Sequence, residues 1–224
     1  MMITELKETA LFRGMSDDEI ETALSSLRAR EKRFLKGSFI FHAGDTTSRF
    51  GIVLDGSVTI ETNDIWGNRT ILSHIGAGQV FAETYALLSN EPMLVDVKVN
   101  QNSRILFLHA PVQDAGLNPQ KLWMSRITFN LLVISSYKNF QLSRRSFHTS
   151  PKTIRGRVMS YLSSVSLHSG NKEFDIPFDR QALADYLNVE RTALSKELGK
   201  MQKDGYFTVH KNHFTIHSSI EQMI

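Results

Sequence analysis

The chain has 224 residues, 41% of them hydrophobic and 22% charged, with a net charge of +3, ordinary values for a soluble globular protein with room for two domains. The absence of cysteine excludes disulfides, thiolate-bound metals, iron–sulfur clusters and thiol redox sensing. No apolar run approaches the roughly 20 residues of a membrane helix and no signal peptide is evident, so a cytoplasmic protein without a membrane partner is expected.

The charge is unevenly spread. Residues 1–137 hold 13 Lys and Arg against 15 Asp and Glu, whereas residues 138–224 hold 13 against 8. A basic C-terminal portion is the electrostatic footprint of a nucleic-acid binder.

Along the chain, Ser16 and Glu19 form a capping box ahead of a helix whose buried stripe is Ile20, Ala23, Leu24 and Leu27. The period then changes. Short apolar runs at 38–41, 50–54, 57–62, 69–75, 94–99 and 103–108 predict strands, separated by turn signals such as Gly44-Asp45, Asp55-Gly56, Gly67-Asn68, Gly76-Ala77-Gly78 and residues 100–102. Short strands with glycine turns indicate a β-barrel or jelly roll.

Asn118 and Pro119 are placed as cap and first residue of a new helix. Leu122, Ile127, Leu131, Ile134 and Tyr137 recur along it, with further bulk at Trp123, Phe129 and Leu132, and the pattern runs to about His148. A helix this long and apolar must bury two faces, one on the barrel and one on a second copy of itself. Ser150-Pro151 then breaks the chain, another helix is predicted over 152–167, and a strand over 171–178.

Residues 179–204 read as two short helices, about 180–187 and 191–203, around a tight turn. Asp179 caps the first, with Leu183, Ala184 and Leu187 on its apolar side, and Asn188 tolerates the left-handed backbone of the turn. The second carries Leu194, Leu198 and Met201 inward and Arg191, Thr192, Ser195 and Lys196 on the opposite face. Gly205 ends it. Residues 206–210 and 213–217 flank a Lys211-Asn212 turn as a β-hairpin. A helix-turn-helix followed by a hairpin is a winged helix, and basic and hydroxyl side chains on its second helix suit base edges in a DNA major groove.

The order of parts resembles the Crp/Fnr family of bacterial transcription regulators. The likeness rests on FHAGD at 41–45, FGIVLDGSV at 50–58 and GQVFAE at 78–83 in the barrel, and on RQALA at 180–184 and VERTALSKEL at 189–198 in the DNA-binding part. It implies an α+β fold in three parts. Residues 1–117 form an effector-sensing, cyclic-nucleotide-binding-like barrel (a double-stranded β-helix), 118–149 a long dimerisation helix and hinge, and 150–224 a winged helix-turn-helix. It further implies a homodimer through helix 118–149 on a near-palindromic double-stranded operator, with RNA polymerase as a further partner. By position, Arg191, Thr192 and Lys196 reach base edges with Ser195 beside them, while Arg180 and Gln181 sit on the phosphate backbone.

The family's cyclic-nucleotide members hold the phosphodiester with an arginine and a serine in a cassette after the barrel's Gly-Glu turn. Here those positions fall on Met93 and Leu94, while Glu83 is retained. A phosphate buried against Met and Leu is left unpaired. The expected effector is therefore a small molecule other than cAMP, seated near Glu83, Thr84, Tyr85, Met93 and Leu94, with an effector-independent regulator as the alternative. No cofactor is expected. A cupin-like metalloenzyme is the remaining alternative, since glycine-rich barrels host such sites. It needs a His-x-His pair in the strands before Glu83, where only the isolated His42 and His74 occur. No enzyme activity is expected.

Overall fold

The structure, a computed structural model, describes residues 3–63, 69–88, 90–111 and 122–217. It divides into two compact units, Met1–Tyr137 and Lys138–Ile224.

The first unit opens with α1 (Ile3–Lys7) and α2 (Asp17–Ser26). The capping box forms in both directions. The Ser16 hydroxyl accepts from the Glu19 amide at 3.3 Å, and the Glu19 carboxylate accepts from the Ser16 amide at 2.8 Å. The strands follow as β1 (Arg30–Phe34), β2 (Phe39–Phe41), β3 (Arg49–Asn63), β4 (Arg69–Gly76), β5 (Val80–Phe81) and β6 (Asp96–His109), with the short α3 (Glu83–Leu88) before β6. They pair antiparallel in the order β1-β6-β3-β4, with β2 on β6 and β5 on β3. The two long strands form the spine, aligned from Arg49↔His109 to Glu61↔Asp96.

Two predicted turns are not turns. Residues 50–54 and 57–62 belong to the single strand β3, and residues 96–99 and 103–108 to the single strand β6. At Asp55-Gly56 the register slips around a bulge, which bends a strand without ending it. Gly56 has φ +88°, and a Cβ there would lie 2.7 Å from the Asn102 carbonyl oxygen. The crossing is pinned by Ser103, whose hydroxyl accepts from the Ser57 amide at 3.1 Å and donates to the Gln101 carbonyl at 2.7 Å. The Gly67-Asn68 turn and the Asn118-Pro119 helix start lie outside the described residues.

Strand alternation sorts side chains between two cores. Phe50, Ile52, Leu106 and Leu108 pack with the helical residues Leu6, Phe12, Ile20 and Leu27. Val53, Val58, Val97, Val99, Ile105 and Phe107 turn the other way, into the barrel. There Phe107 meets Phe34, Phe41 and Phe81 edge-on, with ring centroids 6.1, 6.2 and 6.4 Å away. Gly51 lies beneath the Phe81 ring, where any Cβ would strike it. Gly51→Ala is therefore expected to destabilise the barrel by about 1–3 kcal/mol through overpacking; an unchanged urea midpoint would contradict this close approach.

The long helix α4 (Leu122–Thr149) begins in this unit. Trp123, Ile127 and Leu131 join the helix-side core at 4%, 0% and 3% exposure. Asn130 fixes the register, its amide donating to the Leu11 carbonyl at 2.7 Å and the Arg13 carbonyl at 3.1 Å.

The second unit contains the end of α4, then α5 (Ile154–Ser169), β7 (Glu173–Asp175), α6 (Arg180–Leu187), α7 (Arg191–Lys203), β8 (Phe207–His210) and β9 (His213–Ile216). Thr153 caps α5 by accepting from the Gly156 amide at 3.0 Å, and Gly170 ends it in the left-handed conformation. The strands pair in the order β7-β9-β8. The strand predicted over 171–178 shrinks to three residues, because Pro177 has no N–H for a ladder and Asp179 is already committed as a cap. Leu183, Ala184, Leu187, Leu194, Leu198, Met201, Phe207 and Phe214 make the core, all at 2% exposure or less.

Candidate nucleic-acid interface

Both helices of the helix-turn-helix are set by their caps. The Asp179 carboxylate accepts from the Ala182 amide at 2.8 Å, starting α6, and Asn188 ends it at φ 54°, ψ 55°. Glu190 caps α7, accepting from the Thr192 amide at 2.8 Å and the Ala193 amide at 2.6 Å. Those two backbone donors hold the Glu190 carboxyl below the usual carboxylate range. A helix N-terminus is otherwise a ready anion site, and here the chain fills it with its own carboxylate.

With Leu194, Leu198 and Met201 buried, α7 turns Arg191, Thr192, Ser195 and Lys196 to solvent together. The helix is braced from behind by Arg155 on α5. Its guanidinium donates to Glu197 at 2.7 Å and to Asp204 at 2.8 Å, and lies 5.4 Å from the Tyr206 ring centroid.

The two residues expected on phosphate are placed differently from each other. Gln181 is exposed, its amide bonded to Asp185 at 2.9 Å. Arg180 is half-buried and donates to the Lys211 carbonyl in the wing turn at 3.4 Å. That turn is further tied down by Asn212, whose carbonyl accepts from the Ile176 amide at 2.9 Å and whose side chain donates to the Ile176 carbonyl at 3.0 Å. On β9, His213 sits between Asp175 at 3.0 Å and Glu173 at 3.1 Å, and the two carboxylates raise its pKa above the usual histidine value.

Three residues that sequence reasoning passed over hold the helix-turn-helix from below. Arg145, near the end of α4, donates from Nη2 to the Asp185 carbonyl at 2.7 Å and from Nε to the Tyr186 carbonyl at 3.0 Å. Arg157 on α5 donates from Nη1 to the Leu187 and Asn188 carbonyls at 3.1 and 2.8 Å. His148, 3% exposed, places Nδ1 2.8 Å from the Tyr186 hydroxyl and its ring edge-on to Tyr161 at 5.4 Å.

Burial, then the nearby Arg144 charge, lowers the His148 pKa below the usual histidine value. The unfolded chain therefore takes up this proton first, and the folded state loses stability as pH falls through the ordinary histidine value toward the lowered one. His148→Gln should therefore lose less melting temperature than the wild type, or gain more, between about pH 7 and pH 5, whatever the opposite contribution of the raised His213 adds to both proteins. An identical slope in the variant would assign the effect to other groups.

In the barrel, the five residues expected at an effector are close in the chain but face different ways. Glu83 opens α3 and is 3% exposed, and Met93 is 2% exposed within the barrel core. Met93 is anchored by its backbone, its amide donating to the Asp45 carbonyl at 2.8 Å and its carbonyl accepting from Gly44 at 2.7 Å. The Tyr85 hydroxyl accepts from the Leu94 amide at 3.2 Å. Thr84 is exposed, and Leu94 is 78% exposed. Among the described residues, no group of three or more His, Cys, Asp or Glu is arranged to hold a metal ion, and no helix is long and apolar enough to cross a membrane.

Comparison with known proteins agrees on both parts. Residues 31–112 match the cyclic nucleotide-binding domain, and residues 156–219 match the Crp-like helix-turn-helix domain. Among solved structures, the c-di-GMP responsive global regulator CLP of Xanthomonas campestris aligns with TM-score 0.59 and 18% identity, covering 91% of this chain and all of that one. The catabolite activator protein of Thermus thermophilus aligns with TM-score 0.52 and 21% identity, covering 93% and 94%. At such identities these two establish the fold. No curated protein sequence matches the chain. A cyclic nucleotide-binding-type barrel joined to a helix-turn-helix with an exposed basic and hydroxyl face defines a DNA-binding transcription regulator. The chain belongs to the Crp/Fnr family of these regulators.

Proposed function

We propose that the protein acts as a cytoplasmic homodimer paired through α4, presenting two copies of α7 to a near-palindromic operator. The exposed stripe of α4 carries this reading. Leu122, Phe129, Val133, Phe140 and Phe147 stand at 61%, 63%, 50%, 57% and 72% exposure. From Phe129 onward, with Ser136 and Ser143, they repeat at alternating four- and three-residue spacing, with Leu122 one heptad earlier, on the side away from Trp123, Ile127 and Leu131. That spacing is the pattern of a coiled-coil seam, with large knobs and two small positions where helices can approach closely. Arg191, Thr192 and Lys196 are the proposed base readers, with Ser195 beside them and Gln181 on phosphate. Arg180 is proposed to serve the backbone through the wing turn it holds. RNA polymerase is the proposed protein partner, and the role is binding, not catalysis.

Selection of duplexes from a randomised pool tests the dimer and its operator together. An inverted repeat with half-sites about one helical turn apart is expected; a single asymmetric site bound by one chain would overturn it.

For control, we propose a small effector other than cAMP near Glu83, Thr84, Tyr85, Met93 and Leu94. The support is the packed, uncharged Met93 at a position where the family's cyclic-nucleotide members carry an arginine. The phenylalanine cluster around Phe107 favours a second reading, a regulator that needs no effector. A thermal-shift screen separates them, because a ligand that binds only the folded state raises its stability. The panel includes cAMP, small apolar compounds and, given the described response of CLP, c-di-GMP. Silence across the panel supports the second reading, and a shift with cAMP overturns the first.

A further inference from the structure

We propose that Arg145 is a positioning residue for DNA binding, the side chain through which the last turn of α4 sets the helix-turn-helix. The inference rests on the DNA-binding reading of α7 and adds a residue that touches no DNA.

A helix leaves its last carbonyls without intrahelical partners, and each needs a donor. At the end of α6 every one is accounted for. Ala184 O accepts from the Val189 amide at 3.0 Å, closing the left-handed turn at Asn188. Asp185 O and Tyr186 O accept from Arg145, and Leu187 O and Asn188 O accept from Arg157. Two guanidinium groups thus hold four consecutive carbonyls leading directly into α7, and their charge complements the negative end of α6.

The two arginines are anchored differently. Arg157 also donates from Nε to the Pro151 carbonyl at 2.9 Å, inside the α4–α5 connection. Arg145 stands on α4 itself, and its guanidinium lies 5.7 Å from the Tyr186 ring centroid. Tyr186 in turn packs against Tyr161, Phe178 and His148, with centroids 5.4, 4.9 and 5.8 Å away. The C-terminal turn of α4, the end of α6 and the start of α7 are therefore joined by directional bonds over a rigid aromatic floor. A change in the direction of that turn carries the recognition helix with it.

The fork is essential to this role. Arginine presents Nε and Nη2 in a fixed plane that spans two successive carbonyls, whereas lysine is a single flexible point charge. Arg145→Lys keeps the charge near the helix end and removes the second bond.

The test uses full-length protein, wild type, Arg145→Lys and Arg145→Gln, on a duplex that the wild type has selected from a randomised pool. Both variants should remain folded and dimeric at the assay temperature, with specific affinity roughly tenfold weaker for each half-site, the scale of one missing charge-assisted bond per copy. The slope of log affinity against log salt should stay at the wild-type value, since removing a phosphate contact from both half-sites would lower it by about 1.8. Wild-type affinity in both folded variants would overturn the proposal by showing that Arg145 only stabilises. A slope reduced by about two would overturn it in another way, by making Arg145 a phosphate contact in each copy. Should the wild type select no duplex, the DNA-binding reading fails, an outcome separate from either of these.

Discussion

Phe140→Glu is expected to turn the protein into a monomer and to reduce specific DNA affinity by several orders of magnitude. Phe140 is 57% exposed in the chain, so the substitution leaves the core of one copy intact. In the proposed pair, Phe140 is a knob of the seam, flanked by Ser136 and Ser143. There a carboxylate from each copy would be buried near its mate, with burial and like charge both opposing it. Breaking the dimer also removes the linkage between half-sites. Two linked half-sites gain from effective concentration, worth a factor of about 10²–10⁴ over one. Sedimentation equilibrium with DNA titration checks both halves of this expectation. A dimeric variant that binds normally would place the interface elsewhere and leave the exposed phenylalanines of α4 without the role proposed for them.

Arg191→Ala and Lys196→Ala are expected to have the next largest effects. Each removes a side chain that stands exposed on α7 with no part in the core. A good base contact contributes about 1–3 kcal/mol of discrimination. In a two-fold dimer each substitution acts at both half-sites, so about 2–6 kcal/mol of specific binding is at stake. Stability should be unchanged, because Leu194, Leu198 and Met201 still fill the core. The informative readout is base preference in a repeat of the duplex selection. Each variant should relax symmetric positions in the two halves of the operator. If binding weakens evenly across all sequences, the residue concerned contacts phosphate and carries no base information.

The helix-turn-helix is legible in the sequence because local chemistry punctuates it. Asp179, Asn188 and Gly205 mark the ends of α6 and α7, and the predicted bounds of 180–187 and 191–203 match the structure. The Ser16–Glu19 capping box is legible for the same reason. Gly56 misleads because a glycine at a bulge carries the same signature as one in a turn. Only the partner backbone at Asn102 and Ser103 distinguishes them, and it lies 46 residues away in the bond from Ser57 to Ser103. Arg145 and Arg157 escape for a similar reason, since the carbonyls they hold are 30 to 41 residues distant. The expected effector residues show a different limit. Sequence proximity groups Met93 with Leu94, yet the non-strand segment ahead of β6 buries one and leaves the other 78% exposed.

The continuity of α4 makes its length a functional quantity. The division between the two compact units falls at Tyr137/Lys138, within an unbroken helix and not in a linker. One residue inserted there would turn everything downstream by about 100° and advance it by about 1.5 Å. Phe140 and Phe147 would leave the line of Phe129 and Val133, and Arg145 would be carried out of phase with the seam. Seven inserted residues would restore that phase to within about 20°. In the proposed dimer, drift in this helix is therefore free to change side chains off the seam but not to add or remove a single position, and the stretch between Phe129 and Arg145 can lengthen or shorten only by whole heptads.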